Sequence, residues 1–138
     1  MFDGSYFQFL AQSVEFSERE SISWKNIPVL VGAVVRGIGH AIHKHVKKQN
    51  FTTIPQFLGH GLGTFLHGPP DIYHCLNNIM GTMKPGMIFT VEPVVSEGGR
   101  RIRKLEDGWT WVTLDNSRTA QMEQTILITE HGVERMTE

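Results

Sequence analysis

Hydrophobic and polar positions change period several times along this chain, and each change marks an element. From Val34 onward Val35, Ile38, Ile42 and Val46 recur at helical spacing, while Lys44, Lys47 and Lys48 fall mostly off that stripe, so the pattern predicts an amphipathic helix over about 34–49. Phe51 to Leu58 reads as a short strand, and Gly59, Gly61 and Gly63 around His60 mark backbone that bends closely past something at a loop or strand end. After Pro69-Pro70, residues 71–83 read as a short helical turn and loop, closed by the turn signal Lys84-Pro85-Gly86. Strands are predicted over Met87 to Val95, over Trp109 to Leu114 after the Asp107-Gly108 turn, over Thr119 to Thr129, and over Val133 to Met136. One helix followed by strands joined through tight turns is an α+β arrangement with a curved, largely antiparallel sheet. Residues 1–27 mix aromatic and apolar residues with an acidic patch at Glu15 to Glu20 and show no clean period.

Composition narrows the partners. With 138 residues the chain is about one domain long. Thirteen Lys+Arg against fourteen Asp+Glu leave a net charge of −1, with no basic surplus for a phosphate backbone, so nucleic acid is not expected as a partner. The longest apolar run, Val29 to Val35, is too short to span a membrane. The first thirty residues carry Asp3, Glu15, Glu18 and Glu20 against Arg19 and Lys25, too acidic for a mitochondrial transit peptide, and none is visible. A single cysteine, Cys75, allows no intrachain disulfide and fits an intracellular, reducing compartment.

Three residues stand out as chemistry. Strand alternation puts Thr90 and Glu92 on one face with Pro93 holding Glu92 extended, and it puts Gln121, Glu123 and Thr125 on one face of the later strand. Taken alone, each Glu reads as a solvent-facing residue of a half-exposed sheet. His40 and His43, three apart on the helix, sit beside lysines and read as surface residues. His60 differs, because flanking glycines let backbone approach a ligand, although a lone His in such a loop is more often structural. Together His60, Glu92 and Glu123 would offer one imidazole and two carboxylates, a donor set suited to Zn, Mn, Fe or Co. Spacing alone does not show that they meet.

The wording around these residues adds a resemblance. Gly59-His60-Gly61-Leu62-Gly63, Leu66-His67-Gly68-Pro69-Pro70, Met83 to Pro93, Asp107-Gly108-Trp109-Thr110 and Thr119 to Thr125, in that order, resemble type I methionine aminopeptidases of the pita-bread fold, nearest their mitochondrial type 1D branch. The resemblance runs from about 34 to 137 and implies a domain over 34–138 that is the C-terminal half of that fold, a curved antiparallel sheet with flanking helices, after an unassigned segment 1–33. It implies that His60, Glu92 and Glu123 are metal ligands, Glu123 bridging two ions, that His67 contacts the scissile amide and stabilises the tetrahedral intermediate, and that Leu66 and Trp109 line the pocket for a methionine side chain. The activity implied is metal-dependent removal of the N-terminal initiator methionine from nascent polypeptides, with two divalent ions (Co, Mn, Zn or Fe) per complete site.

The sequence also departs from the family. Two further ligands, both aspartates, and an N-terminal histidine near the substrate come from the half of the fold that has no match here. Asp3, before Gly4 and Ser5, is the one likeness to the aspartate-containing segment. The expectation is therefore at most one ion per chain, an activity in doubt for this chain alone, and an apolar face covered by self-association or by a partner chain. Leu66 replaces the family's usual Phe, and Gln124 its usual His, on the face opposite Glu123. A noncatalytic pita-bread module that binds protein is the alternative from another class, and a proline-specific aminopeptidase the alternative enzyme. The type 1D likeness implies a mitochondrial address, and a cytoplasmic one otherwise.

Overall fold

A computed structural model describes residues 29–137. The N-terminal segment, including Asp3, lies outside the described residues. The predicted helix is α1, Arg36–Lys48, and its buried positions Ile38, Ile42 and Val46, with Val35 at the cap, are the stripe read from the sequence. Its end follows from local chemistry. Asn50 takes a left-handed φ of 62°, and the Phe51 and Asn50 N–H groups donate to the carbonyls of Val46 (3.0 Å) and Lys47 (3.1 Å), a Schellman closure, while His45, Lys47 and Lys48 complement the helix dipole.

Ten short strands follow: β1 Thr52–Thr53, β2 Gly59–Gly61, β3 Gly68–Ile72, β4 Ile88–Val91, β5 Val94–Ser96, β6 Ile102–Lys104, β7 Trp111–Thr113, β8 Thr119–Gln121, β9 Gln124–Thr129 and β10 Gly132–Arg135. They form a five-stranded sheet ordered β10-β9-β4-β2-β3, a three-stranded sheet ordered β1-β5-β8, and the hairpin β6-β7, all antiparallel. The α+β class and the curved antiparallel sheet are therefore as expected, and α1 is the one helix among the described residues. It lays its stripe on the five-stranded sheet, against Ile72, Phe89, Val91, Ile126 and Ile128, with Met83 closing the core. Complete burial of Ile38 and Ile42 is worth roughly 1.5–3 kcal/mol apiece. No described helix is long and apolar enough to cross a membrane.

The local expectations need four corrections. The strand read over Phe51 to Leu58 is only Thr52–Thr53, because Pro55 has no N–H to continue the ladder. The helical turn read within 71–83 is absent: 71–72 finish β3, and 81–83 are tied to the residues before α1 by Gly32 N–H to Met83 O, Met83 N–H to Ala33 O and Val35 N–H to Gly81 O, each 2.9 Å. Between them the Asn77 side chain satisfies the backbone locally, donating to Cys75 O (2.9 Å) and accepting from Ile79 N–H (3.1 Å), which competes with helix. The strands read over 87–95 and 119–129 are each two strands in different sheets. Finally β6, unexpected from its charged, exposed sequence, pairs with β7 across the Asp107-Gly108 turn.

Glycine sets how closely β2 and β3 run. A Cβ on Gly61 would collide with the Pro69 carbonyl, whereas one on Gly63 would meet nothing nearer than Phe65 Cζ at 3.6 Å. Gly61→Ala should therefore cost about 1–3 kcal/mol, as overpacking against backbone does. Gly63→Ala should stay within about 0.5 kcal/mol. Urea unfolding of the two variants checks the difference.

Candidate metal centre

Two neighbouring strands part at one place in this fold. The β4–β9 ladder ends at the pair Val91↔Gln124, and the β5–β8 ladder begins at Val94↔Gln121. Between them Glu92-Pro93 faces Met122-Glu123 with no ladder. Pro93 has no N–H to donate, so the sheet cannot continue through it, and the chain changes sheet on both strands at once. Both glutamates lie in the opening.

Glu92 is held at all four of its polar atoms. Its N–H donates to His74 Nε2 (3.1 Å), its C=O accepts from Gln121 Nε2 (3.3 Å), its Oε2 accepts from the same Gln121 nitrogen (3.2 Å), and its Oε1 accepts from the Thr90 hydroxyl (2.7 Å). Thr90 Oγ1 in turn accepts from the His60 N–H at 3.0 Å, so one buried hydroxyl ties β2 to the carboxylate. His60 occupies a register shift in the β2–β3 pairing between Gly59 and Gly61. Its Nδ1–H donates to the Gly61 carbonyl (3.3 Å), which leaves the Nε2 lone pair facing Glu92 Oε1 at 3.5 Å.

The structure brings three of the sequence-derived residues to one point. Ligand atoms of His60, Glu92 and Glu123 lie within 4.8 Å of one another, the first two half-buried and Glu123 exposed. The His67 ring lies beside them, 4.2 Å from the His60 ring and inclined at 55°, on the exposed side. Leu66, 60% exposed, is on the β2–β3 loop, and Trp109 is half-buried in the β6–β7 turn, where Asp107 Oδ1 accepts from its N–H at 2.9 Å. Neither is among the grouped residues. Gln124 is buried and accepts from the Thr137 hydroxyl (3.0 Å), apart from the cluster.

Electrostatics favours a cation here. Burial pushes the Glu92 carboxyl above its ordinary value; the Thr90 hydroxyl draws it back, the Glu123 charge raises it again, and His60 lowers it when its ring is protonated. Two carboxylates and an imidazole nitrogen converge on a part-desolvated point, and the donor set of one nitrogen and two oxygens fits a divalent first-row metal. Thr90, Gln121 and His74 were not singled out from the sequence as site residues. Alternation puts Thr90 on the face of Glu92 and Gln121 on that of Glu123, a usable signal; nothing in the pattern marks His74.

Residues 27–130 match the model of metallopeptidase family M24, and the chain belongs to that family. Within it, the likeness is to type 1 methionine aminopeptidases. The chain is 46% identical over 107 residues to methionine aminopeptidase 1D, mitochondrial, of Homo sapiens, an alignment covering 77% of this chain and 32% of that protein. It is 41% identical over 101 residues to the methionine aminopeptidase of Haemophilus influenzae, covering 72% and 38%. The crystal structure of methionine aminopeptidase from Rickettsia prowazekii superposes with a TM-score of 0.77 at 37% identity, over 82% of this chain and 46% of that one. The chain thus spans about a third of the length of the curated relatives it matches. A prolidase from Pyrococcus furiosus, at 21% identity and TM-score 0.55, shares the fold alone.

His74 provides a pH test of this arrangement. Burial holds its imidazole at about 4, below the ordinary 6.5, against the opposing effect of the Phe57 carbonyl. As pH falls the unfolded chain takes up this proton first, so the contribution is complete above pH 6.5 and is lost progressively down to about pH 4, at most about 3 kcal/mol. Urea unfolding of the metal-free protein should lose stability more steeply between pH 6.5 and 4.5 than that of His74→Gln, which has no imidazole to titrate.

Proposed function

We propose that this chain carries the His-Glu-Glu part of a methionine aminopeptidase metal site and acts in removal of the N-terminal methionine from polypeptides. The convergence of His60, Glu92 and Glu123 across 63 residues of sequence, at an opening between strands, is the observation that supports this most. His60 offers Nε2, with the tautomer set by Gly61; Glu92 offers a carboxylate oriented by Thr90 and Gln121; Glu123 offers a carboxylate from the exposed side. A divalent ion held there supplies Lewis acidity toward a peptide carbonyl and acidifies water. Manganese, iron, cobalt and zinc all suit these donors.

We read His67 as a contact for the substrate rather than a ligand of the ion. Its ring packs on His60 and stays exposed, so it can hydrogen-bond the scissile amide and stabilise charge developing on the carbonyl oxygen. Leu66, next to His67 and 60% exposed, and the half-buried Trp109 are read as apolar surface for a methionine side chain. The names of the human and mouse relatives support a mitochondrial address.

One observation favours the noncatalytic alternative, a module that binds another chain. Leu30, Val31, Val34 and Met80, at and beside the 32–35/81–83 pairing, are exposed apolar residues, the kind of surface a partner or second copy covers. A chain that turns over Met-Gly peptide, and stops on Glu92→Ala, is an enzyme; one that binds protein with Glu92→Ala unchanged is the module.

Metal titration tests the ligand assignment directly. The purified chain should bind at most one Mn or Co ion, Glu123→Ala should abolish measurable binding, and His67→Ala should leave it nearly unchanged while lowering any turnover of a Met-Gly peptide. Equal loss of binding in both variants would show that the ligand and the substrate contact have been confused.

A further inference from the structure

His74 is among the most buried polar side chains described, 2% exposed, and it offers no ligand atom to the cluster. Both ring nitrogens are spoken for. The Phe57 carbonyl accepts from Nδ1–H at 3.3 Å, so Nε2 carries the lone pair, and that lone pair accepts the Glu92 N–H at 3.1 Å. In an uninterrupted strand the Glu92 N–H would be a ladder or solvent group. Here the ladder stops one residue earlier, at Val91, and Pro93 follows, so the imidazole takes the place of a missing strand partner at one of the two residues whose carboxylates lie in the opening.

We infer that His74 is a positioning residue: it fixes the backbone of Glu92, and through it the direction of the Glu92 carboxylate, by accepting the Glu92 N–H. The inference rests on the reading of Glu92 as a metal ligand. His74 accepts the Glu92 N–H, while Gln121 and Thr90 act on the carboxylate and Gln121 also on the carbonyl, so the backbone and the side chain of Glu92 are each held. Its anchor, Phe57, lies in the turn that leads into β2, which couples the loop before His60 to the same peptide. A hydrogen bond of this kind around a metal ligand is worth about 10–100-fold in metal affinity.

Two variants separate positioning from packing. In His74→Gln the longer side chain places an acceptor near the Nε2 position and keeps the Glu92 N–H bonded; in His74→Asn the shorter one reaches Phe57 only. Both are polar and close in size. Two readouts are taken on folded protein: exchange of the Glu92 amide in the metal-free chain, and Co binding followed by calorimetry and visible absorption. The expected result is a Glu92 amide protected in wild type and His74→Gln but fast in His74→Asn, with Co affinity near wild type for Gln and lower by about 10–100-fold for Asn. Equal Co affinity in the two variants overturns the inference, whatever the amide does. Unfolding of both variants also overturns it, because His74 would then serve the fold and not the site. Glu123→Ala is the control: if it binds Co as well as wild type, the metal reading itself fails, while the Glu92 amide still reports whether His74 holds that peptide.

Discussion

Backbone hydrogen bonding between β4 and β9 stops at Val91 and Gln124 and resumes between β5 and β8 at Val94 and Gln121. The gap leaves Glu92 and Pro93, on the sheltered strand, without ladder partners, and a polar group left unpaired in such a place costs about 1–3 kcal/mol. The chain meets that demand with side chains. His74 accepts the Glu92 N–H, Gln121 donates to the Glu92 C=O, and Pro93 presents no N–H at all. Holding the gap open is thus inseparable from building the site, because the residues that satisfy the interrupted backbone are also those that aim the carboxylate.

The same constraint explains why His60 reaches the opening. Its strand, β2, lies between β3 and β4 in the five-stranded sheet, and glycine on either side lets neighbouring backbone come closer than any side chain would permit: a Cβ on Gly59 would collide with the Thr90 carbonyl, and one on Gly61 with that of Pro69. The register shift between these glycines turns the imidazole toward Glu92, and Thr90 links the His60 N–H to the carboxylate. Helix α1 matters at one remove. Its apolar stripe packs on Phe89 and Val91 of β4, which fixes the strand that carries Thr90 and ends at Glu92.

Much of this was legible in the sequence, and the failures share a cause. The helical stripe, the Asp107-Gly108 turn and the grouping of His60, Glu92 and Glu123 could be read because each is written in local periodicity or in motif wording. The two strand breaks could not. Residues 87–95 and 119–129 each read as one continuous β-rich run, and only a partner strand decides where a ladder stops; Pro93 was the one local sign. Likewise Asn77 rather than any helix breaker keeps 73–80 irregular, and β6 forms on an exposed, charged run because its hairpin partner is fixed by Asp107. His74 carries no pattern of its own: its meaning lies in two contacts with residues 17 and 18 positions away.

The site also has two sides of different character, and that asymmetry bears on how it would work. His60 and Glu92, whose side chains are 16% and 15% exposed, are sheltered and tied down by Thr90, Gln121, Gly61 and His74, so their geometry is set before any ligand arrives. Glu123 and His67 stand on the open side, with Leu66 and Met122 beside them in the chain. Preorganised donors limit the entropy lost when an ion is bound. Burial raises the Glu92 carboxyl despite the Thr90 bond, so a positive charge in the opening would offset both the cost of burying the Glu92 charge and its repulsion by Glu123. A divalent ion would therefore have an electrostatic reason to be held by the sheltered pair together with Glu123.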